Sequence, residues 1–215
     1  FANLFIGENL LPSPGMAFIK SILLPYLPLD LGMIQYTDWQ LHFFLMYQHQ
    51  IKLLDQPLVQ YRIAQGSACA RSPNVILREE IETKKLMDTV IDLIGKDKSA
   101  FLKYFGNYPL IQDNEIDSET IPFWLGRLAL TSSIEAKQKW GLQTIMNFIA
   151  KSGNLALLHR LYNFSYKDYM QLAGKLTINT VDSSVKRYKK KIQKLKKFIV
   201  VLIILCLILG GLLCL

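Results

Sequence analysis

The chain has 215 residues, 51% of them hydrophobic, which is enough for one ordinary domain with additional elements. Its net charge of +8 arises from 25 basic and 17 acidic residues, and eight of the basic residues lie at positions 186–197, where there is no acid. The rest of the chain carries 17 basic and 17 acidic residues, so the positive charge is local. We therefore exclude nucleic acid as a partner of the folded body.

The region 1–72 mixes short strand-like and helix-like runs with Pro/Gly turns. It begins at Phe1 without an initiator Met, a signal peptide or an evident first element, and we interpret it as the C-terminal part of a longer polypeptide. GMAFIK is predicted as a strand after the turn PSPG, and SILLPYLP as a short helix that its prolines end. IKLL and LVQYRI, separated by DQP, are predicted as two further strands. This order is typical of an α/β domain.

The segment DWQLHFFLMYQHQ is predicted as a helix of about three turns, and its first residue is Asp38. An Asp in front of an apolar periodic run accepts hydrogen bonds from the free N–H groups of the first helical turn. The sequence therefore predicts that Asp38 caps this helix. Whether Asp38 has a further role depends on the neighbouring segments.

The region 73–185 is predicted to be mostly helical. NVILREEIETKKLMDTVIDLIG shows apolar residues at helical spacing with charges between them, and it ends at a glycine. Shorter amphipathic helices, joined by turns such as GNYP and KSGN, are predicted at residues 99–105, 121–131, 133–151, 154–161 and 166–175.

The C-terminal residues predict a membrane anchor. Residues 198–215 contain no charge and no strongly polar side chain, which meets the lower length limit for a spanning helix. The eight cations directly before them disfavour the alternative of a buried core helix and predict contact with anionic membrane lipids. We expect a single-pass membrane protein, with the body in the cytoplasm.

The sequence contains no motif that is typical of a metal-binding site. Cys69, Cys206 and Cys214 show no C-x-x-C or Cys/His spacing, and a cytoplasmic setting disfavours disulfides. His42 and His49 lie one heptad apart on one predicted helix, but a two-histidine site needs further ligands that the sequence does not offer. We predict no metal ligand in this chain.

Three segments carry a family resemblance: PGMAFIKSILLPYLPLD, YTDWQLHFFLMY and IKLLDQPLVQYRIAQGSA stand in this order within residues 9–70. Together they resemble the C-terminal half of the catalytic domain in family-2 glycosyltransferases of the GT-A fold, especially bacterial enzymes that build surface polysaccharides. With this resemblance, the sequence divides into four parts: a partial GT-A α/β fold at 1–72, a helical extension at 73–185, a basic juxtamembrane segment at 186–197 and a transmembrane helix at 198–215. The membrane would then be the bacterial inner membrane.

The resemblance also implies roles for individual residues. Asp38 matches the catalytic base, which takes the proton of the acceptor hydroxyl as that hydroxyl attacks the anomeric carbon. A carboxylate at a helix N-terminus suits this role, because the helix dipole favours its ionised form. Gly15 and Met16 match residues that border the acceptor pocket. Trp39 either forms a flat surface for a sugar ring or packs beneath the helix. Tyr61 and Arg62 match the end of the last strand, where Arg62 pairs either with a diphosphate or with a structural acid.

The sequence departs from the family pattern at two positions, one near the metal site of the family and one directly before the catalytic base. Many relatives have a His two residues after the Tyr-Arg pair, where this chain has Ala64, and an acid before the catalytic Asp, where it has Thr37. The nucleotide-binding half, with its Asp-x-Asp motif, lies outside this sequence. The resemblance therefore places any Mn²⁺ or Mg²⁺ mainly on that half, and none on this chain.

The function implied is transfer of a sugar, with inversion, from a nucleotide-sugar donor to a cell-surface polysaccharide or a lipid-linked glycan acceptor. We expect these 215 residues to be inactive alone, because the donor-binding half is not among them. The alternative is a non-catalytic, membrane-tethered helical module that binds a partner protein. In that case the α/β region would have only a structural role.

Overall fold

A computed structural model describes residues 1–11, 13–60, 73–176, 189, 191–193 and 195. The chain forms two compact units, Phe1–Tyr166 and Lys167–Leu215. The helices of the first unit are α1 (Ala2–Ile6), α2 (Lys20–Leu23), α3 (Thr37–Gln48), α4 (Pro73–Ile94), α5 (Lys98–Phe105), α6 (Pro109–Gln112), α7 (Ile121–Ala129), α8 (Glu135–Ile149) and α9 (Asn154–Tyr162).

Two short 3₁₀ turns, Leu24–Tyr26 and Ser118–Thr120, directly follow or precede these helices. The second unit contains most of α10, residues 166–176, and its described residues 189, 191–193 and 195 are helical and exposed. The predicted helices are therefore present in the described parts of the chain, with ends that differ by a few residues. The sequence analysis missed α1 and α6, which have only one turn each and so show no periodic pattern.

Local signals explain where the longer helices begin and end. The backbone N–H of Gly95 donates to the carbonyl of Ile91 and closes the last turn of α4. Asp97 then caps α5, because its carboxylate accepts the N–H of Ala100 at 2.9 Å. Aromatic and aliphatic side chains from several helices meet in the core of the first unit, where the fully buried ones include Phe5, Phe43, Leu86, Phe101, Phe105 and Phe123.

Helices α7 and α8 cross with their backbones in direct contact. A Cβ atom added to Gly141 would lie 2.6 Å from the carbonyl oxygen of Gly126, and one added to Gly126 would lie 2.8 Å from the carbonyl oxygen of Gly141. Both residues are buried. The two glycines therefore permit an approach that any side chain at either position would prevent.

We predict that Gly141→Ala destabilises the first unit. The added methyl group would force the helices apart, which costs about 1–3 kcal/mol, more than the gain in helix propensity of about 1 kcal/mol. Urea denaturation measures the difference in the free energy of unfolding. Gly174→Ala in α10 is the matched control, since nothing lies within 4 Å of its added Cβ, and it should be neutral or stabilising. Equal stability of Gly141→Ala and the wild type would contradict the close crossing.

A buried carboxylate from α4 holds the chain that enters α3. Glu82 accepts the backbone N–H of Ile34 at 2.9 Å through Oε1, and those of Gln35 and Tyr36 at 2.7 and 3.0 Å through Oε2. Helix α3 begins at Thr37, and its N-cap residue, Tyr36, makes no side-chain capping bond. The N-cap position predicted for Asp38 is therefore wrong, since Asp38 is the second residue of the helix, but its carboxylate does accept an N–H of the first turn, that of Trp39. The carboxylate that binds the backbone here comes from 46 to 48 residues away.

We predict that Glu82→Gln lowers the free energy of unfolding by about 2 kcal/mol, because hydrogen bonds to a charged group are the stronger ones and the amide N–H₂ cannot accept. Thermal and urea denaturation measure the loss. Glu79→Gln on the same helix makes none of these contacts and is the control. The assignment of Glu82 would be wrong if both variants had the stability of the wild type.

The predicted fold class, a partial GT-A α/β fold followed by helices and a transmembrane helix, is wrong for the described part of the chain, which is helical and contains no strand. Residues 16–19 and 51–60 are irregular, and every residue of 51–60 is exposed. A strand forms only when its N–H and C=O groups pair with a neighbouring strand, and these segments have no such neighbour among the described residues. Apolar runs in the sequence were therefore not sufficient to predict a β-sheet.

No described helix combines the length and the apolar character needed to cross a membrane. The predicted span, residues 198–215, lies outside the described residues.

Candidate functional site

Asp38 lies in the first turn of α3, half-buried, where the helix dipole favours a negative charge. Its Oδ1 atom accepts the backbone N–H of Trp39 at 2.7 Å. Its Oδ2 atom accepts the hydroxyl of Ser13, from a loop 25 residues earlier, at 2.5 Å. The carboxylate therefore has one oxygen bound to the helix backbone and one facing an exposed loop.

Met16 of the same loop contacts α3 one turn further along. Its Sδ atom lies 3.1 Å from Nε2 of His42, which follows Asp38 by four residues and so lies on the same face of the helix. His42 is buried, and its Nδ1 atom has no hydrogen-bond partner among the described residues. Burial lowers the pKa of His42, and the negative charge of Asp38 opposes that shift. His42 is therefore predominantly neutral at pH 7.

Gly15, in the same loop as Ser13 and Met16, contacts a third segment, which contains Val59. Its φ of +93° is in the region that favours glycine, and an added Cβ would lie 2.9 Å from Cγ2 of Val59. The space beside the Gly15 Cα atom is thus occupied by Val59. Residues 13–16 therefore contact both α3 and Val59, so the first of the three segments with the family resemblance touches the other two.

Trp39 points away from this loop into the core. It is buried, packs edge-on against Tyr36 with ring centroids 5.1 Å apart, and its Nε1 atom has no partner among the described residues. The ammonium group of Lys137 lies 4.3 Å from the centroid of the Trp39 ring. Of the two roles open to Trp39, the structure shows packing beneath the helix.

Lys137 itself is buried and binds three backbone carbonyls at the end of α1. Its Nζ atom donates to the oxygens of Leu4, Phe5 and Gly7 at 2.7, 2.9 and 2.6 Å. Burial lowers the pKa of Lys137 to about 7, and the negative charge of Glu8 opposes that shift. The lysine that lies against Trp39 is therefore a structural group and not a surface charge.

Tyr61, Arg62 and Ala64 lie outside the described residues, so their predicted surroundings stay predictions. Among the residues that the structure does describe, no three His, Cys, Asp or Glu side chains are grouped so as to hold a metal ion. The sequence analysis did not select Ser13 or His42 for the site. The four-residue spacing from Asp38 could have indicated His42, whereas nothing in the sequence links Ser13 to Asp38.

The order of contacts limits the chemistry of the site. In a nucleophilic triad the serine hydroxyl donates to a histidine, which an acid then orients. Here the Ser13 hydroxyl donates directly to Asp38, and His42 contacts a thioether. This arrangement suits Asp38 as a base for a hydroxyl group better than it suits Ser13 as a nucleophile activated by histidine.

No protein-family model matches this chain, and neither the curated proteins nor the solved structures contain a significant match to it.

We predict that titration of Lys137 makes stability depend on pH. Its pKa is about 7 in the folded protein and 10.5 ordinarily, so the unfolded chain binds more protons between these values. The free energy of unfolding of the wild type, relative to Lys137→Met, should therefore rise from pH 7 to pH 10, by up to about 1.4 kcal/mol per pH unit.

Lys139→Met is the matched control, since the hydrogen bond from Lys139 to Glu80 raises the pKa of Lys139 and moves its titration above this range. Relative to that variant, the stability of the wild type should not rise over the same interval. A constant or falling difference for Lys137→Met, measured by urea denaturation in matched buffers, would show that the three carbonyls keep Lys137 protonated.

Proposed function

We propose that this chain belongs to an inverting glycosyltransferase in which Asp38 is the general base. The observation that carries the proposal is that the first of the three segments with the family resemblance contacts the other two, one of them at Asp38. Ser13 binds its carboxylate, Met16 contacts His42 on the same helical face, and Gly15 lies against Val59. These contacts join positions 25 to 44 residues apart, so sequence proximity does not account for them.

The reaction needs one proton transfer from the acceptor. As the acceptor oxygen attacks the anomeric carbon, the bond from that carbon to the diphosphate oxygen breaks, and the nucleoside diphosphate leaves with the electron pair. The hydroxyl proton passes to Asp38. The Oδ2 atom is suited to receive it, because Oδ1 already accepts the N–H of Trp39. A half-buried carboxylate in the first turn of a helix, where the dipole favours a negative charge, has the required access.

The surroundings of Asp38 also bear on the acceptor. Ala17, Phe18 and Ile19, which follow Met16 directly, are exposed, so the loop beside the base presents apolar surface. Such a border suits an acceptor with an apolar part, for example a lipid-linked glycan, although a polysaccharide shares the reacting hydroxyl.

A second candidate function is a non-catalytic module that binds a partner protein. Leu53, Leu54 and Leu58 are 62–74% exposed, and the side chains of Ile76 and Leu77 on α4 are exposed as well. Exposed apolar residues in such numbers are typical of a surface that another molecule covers. Consumption of a nucleotide sugar that depends on Asp38 would decide for the enzyme.

We predict that Asp38→Asn in the complete protein lowers turnover by about 10²–10⁴-fold, the contribution typical of a general base. The assay measures release of nucleoside diphosphate from a panel of UDP-, GDP- and dTDP-sugars. Circular dichroism should show an unchanged fold, because the asparagine oxygen can still accept the N–H of Trp39.

Asp113→Asn removes the same charge from an exposed turn after α6 and is the control, expected at the wild-type rate. Retention of more than about a tenth of the activity in Asp38→Asn would remove Asp38 as the base. Absence of nucleoside diphosphate release from every donor would contradict the enzyme and favour the interaction module.

A further inference from the structure

The carboxylate of Asp38 has one oxygen that faces the loop, and a hydroxyl already occupies it. Oδ1 accepts the N–H of Trp39 at 2.7 Å, whereas Oδ2 accepts the hydroxyl of Ser13 at 2.5 Å. Ser13 is exposed, so the contact lies at the surface and not within the core. A hydroxyl that donates to the base is also what an acceptor must present before sugar transfer.

The loop keeps Ser13 at this position through two neighbouring contacts. Two residues later, Gly15 lies against Val59, and three residues later, Met16 contacts the buried His42. The backbone N–H of Met16 also donates to the carbonyl of Ser13 at 3.3 Å, which closes a turn between them. The contact of Met16 with His42 therefore holds the loop against α3 independently of the Ser13 hydroxyl.

We infer that Ser13 is an acceptor-subsite residue whose hydroxyl holds the place of the acceptor hydroxyl on Asp38 until the acceptor binds. This inference rests on the proposed function of Asp38. Ser13 would then make the enzyme favour the glycan acceptor over water. A water molecule has to displace the serine hydroxyl before it can react with the base, whereas a bound glycan displaces that hydroxyl with the help of its other contacts.

The side reaction that Ser13 suppresses is hydrolysis of the donor. In that reaction the water oxygen attacks the anomeric carbon, and the bond between that carbon and the diphosphate oxygen breaks. The nucleoside diphosphate leaves with the electron pair, and the water proton passes to Oδ2 of Asp38. The products are the free sugar and the nucleoside diphosphate. Alanine at position 13 has no hydroxyl to occupy Oδ2, so water would gain access to the base.

The test measures nucleoside diphosphate release by the complete protein with water as the only acceptor, using the nucleotide sugar that the wild type consumes fastest. We expect Ser13→Ala to hydrolyse this donor about fivefold faster than the wild type, which corresponds to about 1 kcal/mol. Ser13→Thr retains a hydroxyl and should keep the wild-type rate. Ser21→Ala removes an exposed serine from α2 and should do the same. Circular dichroism and the melting temperature check that each variant is folded.

Asp38→Asn separates the two proposals. One outcome is that Asp38→Asn slows hydrolysis while Ser13→Ala hydrolyses the donor at the wild-type rate or more slowly. Ser13 would then only orient or support the base, so this inference would be overturned while the proposed function stands. An acceleration by Ser13→Ala that persists in the Asp38→Asn background would also overturn it, since the effect would not pass through the base. If Asp38→Asn hydrolyses the donor at the wild-type rate, the proposed function fails, and the inference fails with it.

Discussion

The burial of one cation, Lys137, holds together elements that are distant in the sequence. Its ammonium group binds three carbonyls at the end of α1, 130 to 133 residues before it, and lies over the ring of Trp39 on α3. A short helix such as α1 leaves its last carbonyls without partners, and the protonated Lys137 side chain supplies three N–H groups to them. Without Lys137 these carbonyls would lose their side-chain partner, and a buried acceptor left unsatisfied is costly.

The opposite charge performs the corresponding task at α3. The buried carboxylate of Glu82 accepts three successive N–H groups just before the helix begins. Glu82 thus fixes the backbone before α3, and Lys137 fixes the inward-facing Trp39 within its first turn. Asp38, the residue between these two constraints, is left on the opposite side, where it meets the loop that contains Ser13. Such a buried support holds the backbone of Asp38 in place, which the role proposed for its carboxylate would require.

Prediction from the sequence succeeded where structure depends on near neighbours. The apolar spacing in α4, the glycine after it and the prolines near Tyr26 each act within about one helical turn, and the structure has the expected helices there. The predicted strands at residues 15–20 and 51–60 are absent from the structure. These segments contain apolar residues, but they have no partner strand among the described residues. A strand is a property of a pair, and one sequence segment does not specify its partner.

For the candidate site, the sequence by itself determined that Asp38 stands at the start of an apolar helix and that a turn with a glycine precedes it. Only the tertiary structure decided that Trp39 packs inward, that Glu82 replaces Asp38 as the group binding the backbone before α3, and that Ser13 donates to Asp38. The physical reason is the range of the interactions. Helices form through hydrogen bonds between residues four apart, whereas these contacts join residues 25 to 98 apart, and only the packing of the whole unit brings them together.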